Sequence, residues 1–127
     1  MSETADAADS ETTAATKRVM YAELAAVAAG DLDELVSLFA EEAVVLSQAG
    51  AFHGHDEIRR MFAEFFAAAT PEDTFEVVHE FYSGRFGYIV WATTTPTTII
   101  PLGTDTFVVE DGRISLLSFA AHVVPKS

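Results

Sequence analysis

The chain has 127 residues, half of them hydrophobic, which suits one domain with one substantial core. Its formal charge of −13, with 20 acidic against 7 basic residues, argues against nucleic acid or an anionic membrane as partner. The absence of cysteine excludes disulfides, thiol nucleophiles and thiolate-bound zinc.

Residues 1–13 hold four acids, no base and only small apolar side chains, so burial cannot order them and a flexible acidic leader is expected. One domain, 14–127, follows. The first residues are acidic where a signal peptide would be basic, and no apolar run approaches the ~20 residues of a membrane span. A cytoplasmic location is expected. The acidity favours solubility and fits a saline habitat equally well.

From Ala14 to Ala29 the composition suits a helix with Met20, Leu24, Val27 and Ala28 on one face, ended by Gly30. Asp31, with Glu34 three residues on, opens a second helix whose stripe is Leu32, Leu35, Val36 and Phe39. Ala43–Ser47 reads as a short strand, Gln48-Ala49-Gly50 as a turn, and Ala51–His53 as a second short strand. A third helix, roughly Asp56–Ala69, carries Ile58, Met61, Phe62, Phe65 and Phe66 and stops at Thr70-Pro71.

From Thr74 the period changes to two. Phe75, Val77, His79 and Phe81 alternate with Glu76, Val78, Glu80 and Tyr82, and Ser83-Gly84-Arg85 turns into a long strand, Phe86–Thr95. Pro96 and Pro101 bracket a loop. Two apolar runs then meet at Asp111-Gly112, a pair suited to a tight hairpin. The order predicts an α+β domain: three N-terminal helices, interrupted by a small strand pair, packed on one face of a curved, mainly antiparallel sheet.

Three segments, AAGDLDELVSLFAEEAVV (28–45), FHGHDEIRRMFAEFF (52–66) and GTDTFVVEDGRISLLSFAA (103–121), resemble the NTF2-like superfamily, in particular its SnoaL-like and ketosteroid-isomerase-like members. The resemblance implies a cystatin-like cone with an apolar pocket at its open end, a small hydrophobic organic ligand and homodimers through the outer sheet face. In ketosteroid isomerases a carboxylate base works with a Tyr and a neutral Asp that form an oxyanion hole. Aligned on the matching motifs, the base position falls on Ser47, the Tyr position on Glu23 and the oxyanion-hole acid on Asp105. Only Asp105 keeps its family residue.

Asp105 is thus the leading site candidate. Its spacing puts it on one face with Phe107 and Val109, and burial there would raise its pKa and fit it to act as acid or base near neutrality. The competing reading is an acid hydrogen-bonded for purely structural ends. His79, alternating with Phe75, Val77 and Phe81, and His53 are candidate assistants. Core or rim duty is the alternative for the first, a structural His-Gly for the second. Phe107, Trp91, Tyr82, Phe119, Ser47 and Phe62 are expected to line the pocket. His53 and His55 have no third partner at a metal-binding spacing, so neither a metal nor a cofactor is expected. The activity implied is cofactor-free isomerisation or cyclisation by proton transfer on a hydrophobic carbonyl compound. The alternative is a non-catalytic ligand-binding or dimerisation module of the same fold.

Overall fold

The computed structural model describes residues 3–126, with side chains from residue 9 onward. Its elements are α1 (Glu3–Ala29), α2 (Leu32–Ser37), β1 (Phe39–Ser47), β2 (Gly50–His53), α3 (Gly54–Ala68), β3 (Thr74–Ser83), β4 (Phe86–Thr94), β5 (Thr98–Glu110) and β6 (Arg113–Pro125). They form one six-stranded sheet in the order β2-β1-β6-β5-β4-β3. All neighbours are antiparallel except β1 and β6, so the sheet is mainly antiparallel as expected. Two helices precede the first strand. The third enters after the β1–β2 pair.

Residues 3–13, expected as a leader, continue α1; Met1 and Ser2 lie outside the described residues. Low hydrophobicity argued for disorder, but alanine is the strongest helix former, and the acids lie at the positive end of the helix dipole. Two hydroxyls then pin α1 to the β3–β4 turn. The Gly84 N–H donates to Thr13 Oγ1 at 2.8 Å, and Thr16 Oγ1, almost wholly buried, donates to the Gly84 carbonyl at 2.7 Å.

Asp31 caps α2 by accepting the Glu34 N–H at 3.1 Å. That helix is shorter than its apolar stripe suggested. Phe39 opens β1 and is fully buried, because Leu38 already ends the helix and the chain pairs with Ile114 of β6. The Asp111-Gly112 turn forms as expected, with both residues at positive φ (53° and 76°). Pro101 lies inside β5 rather than at a loop edge. It occupies the register shift between Trp91↔Gly103 and Thr93↔Ile100, where one extra residue on β5 relieves the ladder of a missing N–H.

The helices cover one face of the sheet. Met20, Leu35, Phe39, Val45, Ile58, Ile89, Phe107, Ile114 and Leu117 meet beneath them as the core. On the opposite face Phe81, Phe86, Tyr88 and Leu46 stay exposed.

Candidate functional site

Register fixes which side chains face the helices. Asp105 of β5 stands opposite Ile89 of β4 and Phe119 of β6, and Ile89 stands opposite Glu80 of β3. Ile89 is fully buried, so Asp105 shares the inner face with the core. Its flanking Thr104 and Thr106 point the other way, as period two requires.

Asp105 is held by one side chain. Trp91, two residues along β4 from Ile89 on the same face, donates its indole N–H to Asp105 Oδ1 at 2.9 Å. The indole fits because residue 103 opposite it is glycine: a Cβ there would come within 2.4 Å of the ring.

A second carboxyl reaches the same region from α1. Glu23 is only 3% exposed, and its Oε2 is buried without a hydrogen-bond partner. Burial raises its pKa to about 8, and the negative charge of Asp105 adds to the rise. Burial likewise lifts Asp105 to about 6, opposed by the Trp91 N–H, which favours the ionised form. The two carboxyls are therefore unlike, with Glu23 the more reluctant to ionise. Two acids whose surroundings separate their proton affinities form a base and an acid.

Beside this pair lies a second polar cluster. Glu80 accepts hydrogen bonds from Tyr21 (2.7 and 2.8 Å) and Tyr82 (3.0 Å), with Lys17 Nζ 3.7 Å away. The Tyr21 hydroxyl, more than any other neighbour, holds Glu80 below its usual carboxylate range. This cluster fastens α1 to β3.

The remaining expected site residues divide. Phe119 lies directly opposite Asp105, and Trp91 is bonded to it. Tyr82 faces inward, its hydroxyl engaged by Glu80. Ser47 ends β1, where its Oγ accepts the Ala49 N–H at 3.1 Å and shapes the β1–β2 turn. Phe107 is fully buried and Phe62 packs at 6.1 Å from Phe39, both within the core.

Both histidines fall away from Asp105. The pairs Val77↔Trp91 and His79↔Val90 leave Val78 as an extra residue, and this bulge inverts the alternation. His79 consequently faces the outer side of the sheet, exposed and stacked on Phe81. His53 is exposed at the start of α3, where its backbone N–H donates to Glu57 Oε1 at 2.9 Å. It lines an open concavity of about 470 Å³ with Glu41, His55, Glu57 and Arg60, and a second of about 290 Å³ adjoins it around Phe52 and Met61. Neither includes Asp105 or Glu23. His55 is hydrogen-bonded to the Phe39 carbonyl at 2.8 Å, and among the described residues no group of three or more acids and histidines could hold a metal ion.

Glu23 is the functional candidate that sequence reasoning passed over, although it falls at the family's Tyr position. The signal was present. Glu23 lies three residues after Met20 and four before Val27, inside the apolar stripe of α1, where an acid is out of place.

Residues 20–117 match the model of the SnoaL-like domain. The chain belongs to the SnoaL-like domain family. Solved structures agree on the fold of this SnoaL-like domain. An NTF2-like protein of unknown function from Mesorhizobium loti superposes with a TM-score of 0.74 at 19% identity, covering 87% of this chain and 93% of the other. A protein from Kribbella flavida provisionally assigned as a ketosteroid isomerase gives 0.73 at 15% identity, covering 91% and 83%. The epoxide hydrolase/cyclase-like enzyme SalBIII, of pyran ring formation in the polyether salinomycin, gives 0.72 at 22% identity, covering 84% and 90%. At these identities the likeness establishes the NTF2/cystatin-like fold alone. No curated protein matches the SnoaL-like chain in sequence. None of its described helices is long and apolar enough to cross a membrane.

Proposed function

We propose that this SnoaL-like domain is a cofactor-free isomerase or cyclase that moves protons on a small, hydrophobic, oxygen-bearing molecule. The observation that carries the reading is two carboxyls facing one interior in unequal surroundings: Glu23 buried with Oε2 unpartnered, and Asp105 half-buried and hydrogen-bonded to the Trp91 indole, with pKa values raised to about 8 and about 6. Asp105 is partly exposed and Glu23 is not, so a substrate would meet the base first and the acid beyond it. Trp91 and Phe119 give that approach an aromatic lining suited to an apolar molecule.

In this reading the Asp105 carboxylate takes a proton from an activated C–H or O–H bond. Glu23 delivers its own proton to the oxygen on which negative charge gathers. Passing the first proton back at a new position, and recovering the second from the oxygen, restores both carboxyls and leaves the substrate isomerised. No external oxidant, reductant or net proton is needed. Each group acting in this way is worth about 10²–10⁴-fold in rate. The SalBIII structure and the provisional ketosteroid isomerase lend support as fold relatives, since cyclisation and isomerisation are both proton-transfer chemistries.

The same reading places a second copy of the chain over the outer sheet face, supported by the uncovered Phe81, Phe86 and Tyr88. The test of function is hydrogen–deuterium exchange at carbon in a panel of hydrophobic ketones, followed by NMR with the wild type, Asp105→Asn and Glu23→Gln. Exchange lost in both variants supports the proposal. Thermal stabilisation of the wild type by panel members without any exchange would make the domain a binding module instead.

A further inference from the structure

An ionised carboxylate has two acceptor oxygens, and in Asp105 one is already taken. The Trp91 indole N–H occupies Oδ1 at 2.9 Å, which leaves Oδ2 as the free basic oxygen. The indole can lie there only because of what stands opposite it on β5. Gly103 is buried, and a Cβ added to it would meet three indole carbons at 2.4–2.6 Å, far inside any real contact. Its φ lies outside the left-handed region, so the requirement is for space and not for an unusual backbone. Glycine within a strand is otherwise a weak choice, costing entropy and packing nothing.

We infer that Trp91 and Gly103 form a positioning device that favours Asp105 as the base of the pair, by holding it as the carboxylate and leaving the acid's part to the more deeply buried Glu23. The inference rests on the acid–base reading above, yet its physical content stands apart from any substrate. Both carboxyls are desolvated, and desolvation alone pushes each toward the neutral form. The N–H bond is the asymmetry directed at Asp105, opposing its desolvation. Among the described residues, the other groups around Asp105 supply no cation next to it. From α1 comes Glu23, and from β3 comes Glu80, in the same cross-strand row beyond Ile89 and tied to Tyr21, Tyr82 and Lys17. β4 contributes Ile89 and Trp91, and β6 contributes Phe119. Without the indole bond the proton affinity of Asp105 rises toward that of Glu23, and the two acids are less sharply divided into base and acid.

Trp91 is the only tryptophan in the chain, so its emission reports on this bond directly. A fluorescence titration of the full chain from pH 4 to 9 should show an inflection near 6, as protonation of Asp105 weakens the indole's acceptor. Asp105→Asn should abolish it. Gly103→Ala should shift the emission maximum to the red, flatten the inflection, and raise the Asp105 side-chain ¹³C midpoint by about one pH unit, the scale of a charge-assisted hydrogen bond. The same inflection in Asp105→Asn, or an unmoved midpoint in a folded Gly103→Ala, overturns the inference. Trp91→Phe, which removes the N–H without a clash, decides the matter if Gly103→Ala does not fold. The Asp105 side-chain ¹³C titration should then rise by about one unit, and an unchanged midpoint contradicts the proposal. Loss of catalysis is not among these readouts, so failure of the functional reading and failure of this inference are told apart.

Discussion

Glu23 of α1 and Asp105 of β5 face the same interior with no hydrogen bond between them, and the charge on Asp105 helps to keep Glu23 protonated. Two acids 82 residues apart in sequence are thereby made unequal by burial and one indole N–H. The helix brings the more buried group and the sheet the more accessible one.

This pairing has a consequence for stability. Folded Glu23 holds its proton more tightly than the unfolded chain, whose glutamate titrates near 4.5. Between about pH 4.5 and 8 the folded state thus carries the extra proton, and stability falls as pH rises through that window. The full effect is at most about 5 kcal/mol. Denaturant unfolding of Glu23→Gln should show a flatter dependence from pH 5 to 9 than the wild type, with the variant the more stable at pH 9. Parallel curves would refute the buried, protonated assignment.

Activity should separate the two carboxyls. Once a substrate is found, Asp105→Asn should lower kcat/KM by about 10³-fold, and Glu23→Gln by about 10²-fold. The rate of the wild type should rise through pH 6 as Asp105 ionises and fall above pH 8 as Glu23 does. A profile with no limb near either value would assign the chemistry elsewhere.

The attachment of α1 to the β3–β4 turn can be tested through Thr16. Thr16→Val removes the donor to the Gly84 carbonyl while keeping the side chain's shape. A loss of about 1–2 kcal/mol is expected from thermal or urea unfolding, because the carbonyl is left part-buried without that bond. No loss would mean that the helix end is held by packing alone.

The outer sheet face offers a test of association. Phe81 is 63% exposed and Tyr88 37%, directly opposite one another on β3 and β4. If a second copy covers them, Phe81→Glu should convert a dimer to a monomer in sedimentation equilibrium, while the far-UV circular dichroism stays unchanged. A wild type that sediments as a monomer at 100-fold different loading concentrations would contradict the proposed dimer.

Much of this fold was legible in the chain because local chemistry and tertiary need agree. The Asp111-Gly112 hairpin, the Asp31 cap and the long antiparallel strands each follow from residues within a few positions. The misplacements have local causes too. A bulge at Val78 is invisible to a period-two pattern, yet it moved His79 from the expected pocket face to the other side. Phe39 keeps helical spacing with Leu35 and Val36 but pairs with Ile114, a contact 75 residues away that no local signal encodes. The site was half legible. Asp105 stood out as an acid in an apolar strand, whereas Glu23, alone among the acids in the apolar stripe of its helix, shows its partner only once α1 is packed on β5.

The central claim, that one carboxyl of the pair is ionised and the other protonated at neutral pH, is tested most directly by side-chain carboxyl ¹³C NMR. Spectra of the full chain recorded from pH 3 to 10, with Asp105→Asn and Glu23→Gln for assignment, should give one aspartate midpoint near 6 and one glutamate midpoint near 8. Every carboxyl of the protein titrating below pH 5 would contradict the account.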